Sequence, residues 1–279
     1  MEFNKVTQYI NDADGILICT GAGMGVDSGI GTFRGKNAGI WPPLKDMNMD
    51  FQDMSQPKWF KSDPRLAWAF WKYRWENYTS AEPHEGYHII KRWIENKGGN
   101  GFSFTSNIDG HWSNGVLEYN KVIEIHGTLN YLQCTKPCVN KIWKTPDLSY
   151  MTIDKSGKRI SKECELPKCR YCGGIARPAV LMFDDDAWVY EEFEYQRNNY
   201  NDWLDQVNNI CIIEIGAGKA IPTVRNESQD VASMSSKSNS LIRINLEQSK
   251  VSKHIKRSVS IESGGLEALK EIDQLLKNK

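Results

Sequence analysis

Four cysteines in two close pairs place the strongest constraint on how this chain can fold. Cys134 and Cys138 form the first pair, and Cys169 and Cys172 form the second. Paired thiolates at such spacings supply the ligands of a tetrahedral zinc site, and a site closed by four cysteines is structural rather than catalytic. Cys164 is an alternative ligand to Cys169, although its spacing to Cys172 is less suitable. The sequence therefore predicts a zinc module within residues 134–177.

Charge and apolar patterning exclude several classes of protein. Lys plus Arg equals Asp plus Glu, at 35 each among 279 residues. Nothing in the overall charge therefore attracts the chain to nucleic acid or to an anionic membrane. The polar N-terminus resembles no secretory signal, and no apolar run approaches the ~20 residues that cross a bilayer. We expect a cytoplasmic protein, with the nucleus as the alternative, whose Cys19 and Cys211 are buried thiols of the core.

Short apolar runs alternate with helical patterns along most of the chain. The runs predict strands at residues 16–20, 102–106, 121–125, 210–215 and 241–245. Helical spacing predicts helices over 81–96 and 265–277, and a Ser-rich stretch at 233–240 predicts an exposed loop. Such alternation is typical of an α/β fold with a mostly parallel sheet. Trp68, Trp71 and Trp75 share one helical face and predict a packed core rather than a binding box.

A glycine turn, residues 21–25 (GAGMG), follows the first predicted strand. Glycines allow close approach to a phosphate, and free backbone amides at a helix start attract anions. Val26 stands where the dinucleotide fingerprint has glycine, so a plain strand–helix turn is an equal alternative. Phe33 and Arg34 follow shortly after, and they suit an apolar ligand face and a diphosphate respectively.

Polar residues follow two further strands, where ligand sites of α/β sheets gather. Asn107 and Asp109, within the sequence Thr-Ser-Asn-Ile-Asp-Gly, can hold an amide in both hydrogen-bond directions, as nicotinamide requires. His126, followed by Gly127, can act as a general base near neutral pH. The alternatives are a simple turn at 105–110 and a hydrogen-bonded, partly buried histidine.

Taken in chain order, these motifs resemble the sirtuin family from about residue 13 to residue 275. The matching motifs are Gly21-Ala22-Gly23, Ser28-Gly29-Ile30, Phe33-Arg34, Asn107-Ile108-Asp109-Gly110, His126-Gly127, the four cysteines, Arg177-Pro178 to Phe183, Ile215-Gly216 and Ile244-Asn245.

The resemblance implies a Rossmann-like NAD-binding domain with helices on both faces of its sheet. Its predicted segments are residues 1–34, 81–133 and 178–279. A helical cofactor-loop insertion at 35–80 and the zinc module at 134–177 would form a small domain. NAD and an acylated-lysine protein or peptide would enter the cleft between the two domains.

The resemblance also implies roles for single residues. His126 and Asn107 would be catalytic, with His126 as the general base. Zinc would be held by Cys134, Cys138, Cys169 and Cys172. The residues implied to bind NAD are Gly21, Ala22, Gly23, Phe33, Arg34, Ser106, Asn107, Ile108, Asp109, Gly216, Ala217 and Asn245.

The implied activity is that of an NAD-dependent protein-lysine deacylase. The acyl-lysine oxygen would attack the ribose carbon as nicotinamide leaves, and the products would be O-acyl-ADP-ribose and free lysine. The chain departs from the family pattern at Gly31-Thr32 (commonly Pro-Asp), at Ser106 (commonly Gln) and at Asp184-Asp185 (commonly Gly-Glu). These departures keep an NAD glycohydrolase or ADP-ribosyltransferase as an alternative. Asn107, Asp109 and His126 argue against a non-enzymatic zinc-stapled binding module.

Overall fold

The computed structural model of the protein describes residues 2–32 and 41–278. Its strands are β1 (Gly15–Thr20), β2 (Gly101–Thr105), β3 (Val122–Glu124), β4 (Gly127–Cys134), β5 (Trp143–Lys144), β6 (Ala176–Val180), β7 (Ile210–Ile215), β8 (Ser240–Ile244) and β9 (Ser258–Ile261). Its helices are α1 (Glu2–Asp12), α2 (Pro43–Asp46), α3 (Phe51–Met54), α4 (Lys58–Ser62), α5 (Pro64–Thr79), α6 (Glu85–Glu95), α7 (Glu191–Gln206), α8 (Thr223–Ala232) and α9 (Gly265–Lys277). Within these ranges no helix is long and apolar enough to cross a bilayer.

A parallel six-stranded sheet in the order β3-β2-β1-β7-β8-β9 forms the centre of the fold. Successive residues of β1 point to opposite faces. Ile16 and Ile18 pack into a core with residues of α1, α6 and α9, whereas Leu17 and Cys19 pack with residues of α7 and α8. Helices therefore cover both faces, which is why β1 is buried throughout and apolar up to Thr20. The Rossmann-like fold expected from the resemblance is confirmed.

The predicted strands of this sheet and the C-terminal helix are confirmed, with ends shifted by at most a few residues. The predicted helix over 81–96 begins only at Glu85, because the His84 side chain caps its N-terminus. The prediction of an exposed loop at 233–240 is wrong at its end, since Ser240 is buried at the start of β8. Sequence analysis missed β9, whose residues alternate between buried and half-buried.

The two insertions share one core. Trp68 and Trp71 of α5 are fully buried, and Trp75 packs against the same cluster, which confirms the predicted tryptophan core. Trp68 Nε1 donates a hydrogen bond to the carbonyl of Ala176, 3.0 Å away in β6. β6 belongs to an antiparallel sheet of order β5-β4-β6, which the sequence did not reveal. The domain boundaries given above stay a prediction.

Arg65, in the first turn of α5, ties the helical insertion to the zinc module. Its Nη1 donates to the Cys164 carbonyl at 3.1 Å and also to the Ser161 carbonyl. The backbone N–H of Ile160 donates to the Arg65 carbonyl at 3.1 Å. These contacts join segments nearly a hundred residues apart and fix the start of α5 against the module.

Two glycine turns meet where the strand order reverses, between β1 and β7. The Gly23 N–H donates to the Gly216 carbonyl at 3.1 Å. A Cβ atom at Gly23 would lie 2.6 Å from Gly216 Cα, and one at Gly216 would lie 2.5 Å from the Gly23 backbone. Gly216 also has a φ of +64°, in the left-handed region. Both positions therefore require glycine for packing alone.

Replacing Gly216 tests this contact. Gly216→Ala should lower the melting temperature, because the left-handed backbone costs about 1–2 kcal/mol for an L-residue and the backbone overlap adds to it. Gly218→Ala is the matched control, since a Cβ there has no atom within 4 Å. Thermal unfolding of both variants and the parent measures the difference. Equal melting temperatures for the two variants would contradict the packing argument.

Candidate active site and metal centre

A small cavity opens at the carboxyl ends of β1 and β2. It lies beside the strand reversal, where α/β sheets bind ligands. Its walls combine the glycine turn, the segment after β2 and the C-terminal end of α5. The lining residues are Ala22, Ile30, Gly31, Tyr78, Asn107, Ile108 and Asp109.

Asn107 and Asp109 are buried in this cavity wall. The Asn107 backbone N–H donates to Thr105 Oγ1 at 3.1 Å, while its carboxamide makes no hydrogen bond within the described ranges. Asp109 Oδ1 accepts the backbone N–H of His111 at 2.9 Å. Burial raises the pKa of the Asp109 carboxyl, and the nearby His111 opposes that rise. An uncommitted carboxamide beside a carboxyl group is complementary to a primary amide ligand.

His126 lies half-buried in the turn between β3 and β4. Its Nδ1 is 3.2 Å from the Ser106 carbonyl, which can only accept, so Nδ1 carries the proton. Nε2 therefore holds a lone pair. Burial lowers the pKa of His126 below its ordinary value of 6.5. The imidazole is accordingly neutral near pH 7 and able to accept a proton.

The remaining predicted ligand residues lie at the same edge of the sheet, where some of them have structural contacts. Gly21 packs against Ala217, and Ser106 follows β2 with its N–H bonded to the Thr20 carbonyl. Asn245 Nδ2 donates to the Ala217 carbonyl at 3.0 Å, and its Oδ1 accepts the N–H groups of residues 247 and 248. The Asn245 amide thus fixes the turn after β7. Phe33 and Arg34 lie outside the described residues.

Sequence reasoning missed two buried groups next to the site. Glu124 ends β3, and its Oε1 accepts a hydrogen bond from Ser113 Oγ at 3.1 Å. Burial raises the pKa of Glu124 to about 8. An acidic residue inside an apolar strand, two positions before His126, was the available signal. His84 contacts the glycine turn, and its only signal was its place just before a helix.

The four predicted zinc ligands come together. Their Sγ atoms all lie within 4.8 Å of one another, with 3.7 Å between Cys134 and Cys172 and 3.6 Å between Cys138 and Cys169. A tetrahedral zinc with bonds of about 2.3 Å separates its sulfurs by roughly 3.8 Å. The cluster therefore fits a structural zinc ion. Cys164 is not part of it, and its Sγ accepts the N–H of Thr152 instead.

The sequence model of a protein family described as the Sir2 family matches residues 21–213, more than half of the chain. An NAD-dependent protein deacylase of Thermococcus kodakarensis is 34% identical over 170 residues, covering 60% of this chain and 58% of that protein. One of Aquifex aeolicus is 32% identical over 176 residues, covering 62% and 63%. One of Daphnia pulex is 31% identical over 215 residues, covering 71% and 74%. The chain spans about three fifths of the length of the first two relatives.

Solved structures share the fold. A Sir2 homolog–NAD complex has a TM-score of 0.69 at 22% identity, covering 99% of this chain and 94% of that one. A Sir2 complex with a p53 peptide and NAD⁺ has a TM-score of 0.68 at 17% identity, with full coverage of both chains. At these identities the likeness concerns the architecture.

The metal centre can be tested by removing single thiols. Cys169→Ser should lose the zinc and destabilise the module, because metal binding contributes directly to its folding. Cys164→Ser is the matched control and should keep about one zinc per chain. Metal analysis of protein purified without added zinc, with thermal unfolding, measures both effects. Zinc retained by Cys169→Ser and lost by Cys164→Ser would overturn the ligand assignment.

Proposed function

The chain belongs to the Sir2 family, and on that premise we propose that it is an NAD-dependent protein-lysine deacylase. It would release nicotinamide and transfer the acyl group of a lysine to ADP-ribose. The observation that carries the proposal is the grouping at one sheet edge of an uncommitted Asn107 carboxamide, the Asp109 carboxyl and a neutral His126. A binding module has no need for a proton acceptor at this place.

Asn107 and Asp109 are proposed to hold the nicotinamide carboxamide. That group offers two N–H donors and one carbonyl acceptor, which a carboxyl and a carboxamide can satisfy together. NAD supplies a glycosidic bond whose nicotinamide is a good leaving group. Ile108 would close the pocket on the apolar side, and Ser106 would lie near the ribose.

The glycine turns are proposed to face the phosphates and the adenosine. The Ala22 N–H, at the start of the 3₁₀ turn Ala22–Ser28, suits an anion, whereas the N–H groups of Gly21 and Gly23 are bonded to backbone carbonyls. Gly21, Ala22 and Gly23 would approach the phosphates. Gly216, Ala217 and Asn245 would lie near the adenosine. The roles proposed for Phe33 and Arg34, a ring over the ligand and a charge on the diphosphate, rest on the sequence alone.

His126 is proposed as the general base. With Nδ1 bonded to the Ser106 carbonyl, Nε2 can take the proton of a ribose hydroxyl, so that the sugar oxygen attacks the acyl carbon. Its pKa lies below 6.5, so the base is available at neutral pH and is lost as the pH falls through that lowered value. The zinc ion held by the four cysteines would stabilise the zinc module and take no part in the reaction.

The segment after β6 favours a second candidate, NAD hydrolysis or ADP-ribosyl transfer without a peptide. The family resemblance implies that a substrate peptide would pair, as a strand, with residues 183–185. The Phe183 N–H, however, already donates to the Ser55 carbonyl at 2.9 Å. The Asp185 side chain is fully buried in an ion pair with Arg177, at 2.7 Å. Both groups are therefore committed within the chain and are not available to a peptide backbone.

Incubation with NAD, with and without an acetyl-lysine peptide, distinguishes the two candidates. We expect nicotinamide and O-acetyl-ADP-ribose only when the peptide is present, because its acyl oxygen is the nucleophile. Mass spectrometry of the products makes the measurement. Nicotinamide release that is equally fast without peptide would replace deacylation with the second candidate, and release under neither condition would reject both.

Replacing His126 tests the proposed base. His126→Ala should lower acyl transfer by about 10²–10⁴-fold while NAD still binds, because the base acts after the nicotinamide bond breaks. His254→Ala, at an exposed histidine remote in sequence from the site, is the matched control and should keep the parent rate. A deacylation assay and calorimetry of NAD binding are made on both variants. A His126→Ala enzyme of near-parent rate would reject this role.

A further inference from the structure

His84 connects the start of α6 to both ends of the glycine turn after β1. Its Nε2 lies 2.9 Å from the Met24 carbonyl, near the beginning of the 3₁₀ turn Ala22–Ser28. Its backbone N–H donates to Ser28 Oγ at 3.0 Å, at the end of that turn. The histidine and the turn are 60 positions apart from His84 to Met24, so these are tertiary contacts.

The second ring nitrogen fixes the protonation state. His84 Nδ1 accepts the backbone N–H of Gly86 at 3.0 Å, and an N–H can only donate. Nδ1 is therefore unprotonated, and Nε2 carries the proton and donates it to the Met24 carbonyl. This arrangement is possible only for the neutral imidazole in one tautomer.

The ring is held tightly in its place. A Cβ atom at Gly86 would lie 2.6 Å from the His84 ring, so the glycine makes room for it. On its other side the ring meets Tyr87 edge to face, with 4.9 Å between centroids. Tyr87 packs against Trp112, whose Nε1 donates to Thr20 Oγ1 at the end of β1. His84 is thus anchored to the sheet from which the turn departs.

Two further side chains anchor the turn, Met24 in the core and Asp27 at α9, but neither bonds to a carbonyl of the turn. Its N-cap is Gly21, which offers no capping side chain. Asp27 points away to the N-terminus of α9, where Oδ2 accepts the N–H of Leu266. Among residues 2–32 and 41–278, His84 is the side chain that donates to a carbonyl of this turn.

We propose that His84 is a positioning residue that holds the glycine turn in its ligand-binding shape, and that it does so only while its imidazole is neutral. The ligand in question is the pyrophosphate of NAD, so this part of the inference rests on the proposed function. His84 does not line the cavity, and it acts on the ligand through the backbone of the turn.

The charged and titratable neighbours decide the direction of the pH effect. Burial lowers the pKa of His84 below 6.5; the Met24 carbonyl and Asp27 raise it, and His111 and His88 lower it further. A proton on Nδ1 would face the Gly86 N–H, and the two donors repel. The released imidazole therefore takes up a proton more readily than the held one. The stabilisation of the turn by His84 is therefore complete above about pH 6.5, and it is lost as the pH falls below that value.

His84→Asn removes the contact with the Met24 carbonyl while keeping the contact with the Gly86 N–H. The Asn oxygen can still accept the Gly86 N–H and cap α6, because asparagine is among the best N-cap residues. Its side chain is too short to reach the Met24 carbonyl. His254→Asn, at an exposed histidine remote in sequence from the turn, is the matched control. His84→Asn should therefore keep the cap of α6 but lower the melting temperature moderately, because the ring packing and the bond to the Met24 carbonyl are lost.

Amide hydrogen exchange of residues 21–28 in the free protein is the primary measurement. After correction for the intrinsic pH dependence of exchange, the parent and His254→Asn should lose protection there as the pH falls below about 6.5. His84→Asn should show low protection at every pH. Protection in His84→Asn that equals the parent value at neutral pH, or a parent profile without pH dependence, overturns the inference.

Calorimetric titration with NAD and with ADP-ribose separates this inference from the proposed function. At neutral pH, His84→Asn should bind about tenfold more weakly than the parent, the effect of losing one buried hydrogen bond. Equal affinity and equal pH profiles in the two proteins would reject the role of His84 and leave the proposed function standing. A parent that binds neither ligand, but whose turn exchanges as expected, would reject the proposed function and leave the hold of His84 on the turn intact.

Discussion

The backbone contact between Gly23 and Gly216 is the constraint on which the candidate site depends. It holds the turns after β1 and β7 together where the strand order reverses. The turn after β1 forms part of the cavity wall, so the contact fixes the position of that wall. The turn after β1 also explains why the chain departs from the dinucleotide fingerprint. The third glycine of that fingerprint serves close packing of a helix on its strand. Here β1 leads into a 3₁₀ turn of seven residues, so Val26 meets no such requirement.

The polar groups around the cavity are stabilised mainly by their immediate neighbours. Thr20 and Thr105 bond to each other across β1 and β2, Asp109 accepts the N–H two residues on, and His126 bonds to Ser106. Burying these groups is tolerated because each has a partner at hydrogen-bond distance. His126 is neutral and the pKa of Glu124 is raised to about 8, so neither of these two side chains is mainly charged near pH 7.

Local patterns predicted the parts of the fold that depend on local sequence. Short runs rich in apolar residues marked β1, β2, β7 and β8, and the cysteine spacing marked the metal centre. What the sequence did not reveal depends on contacts between distant segments. The antiparallel sheet of β4, β5 and β6 pairs strands across the zinc module, and His84 meets Met24 through tertiary packing. Asp185 was interpreted as a change in a substrate strand, whereas in the fold it is the buried partner of Arg177.

The helix α5 has a consequence for how the metal centre relates to the cavity. Arg65, at its start, is bonded to carbonyls of the zinc module, and Tyr78, in its last turn, lines the cavity. Sixteen residues of helix make a stiff rod of roughly 24 Å. The helix α5 thus connects the module that holds the thiolates to one wall of the cavity. Oxidation of the cysteines would leave every reacting group in the chain intact. It would loosen the wall that α5 contributes to the cavity, and so the fit around a bound ligand.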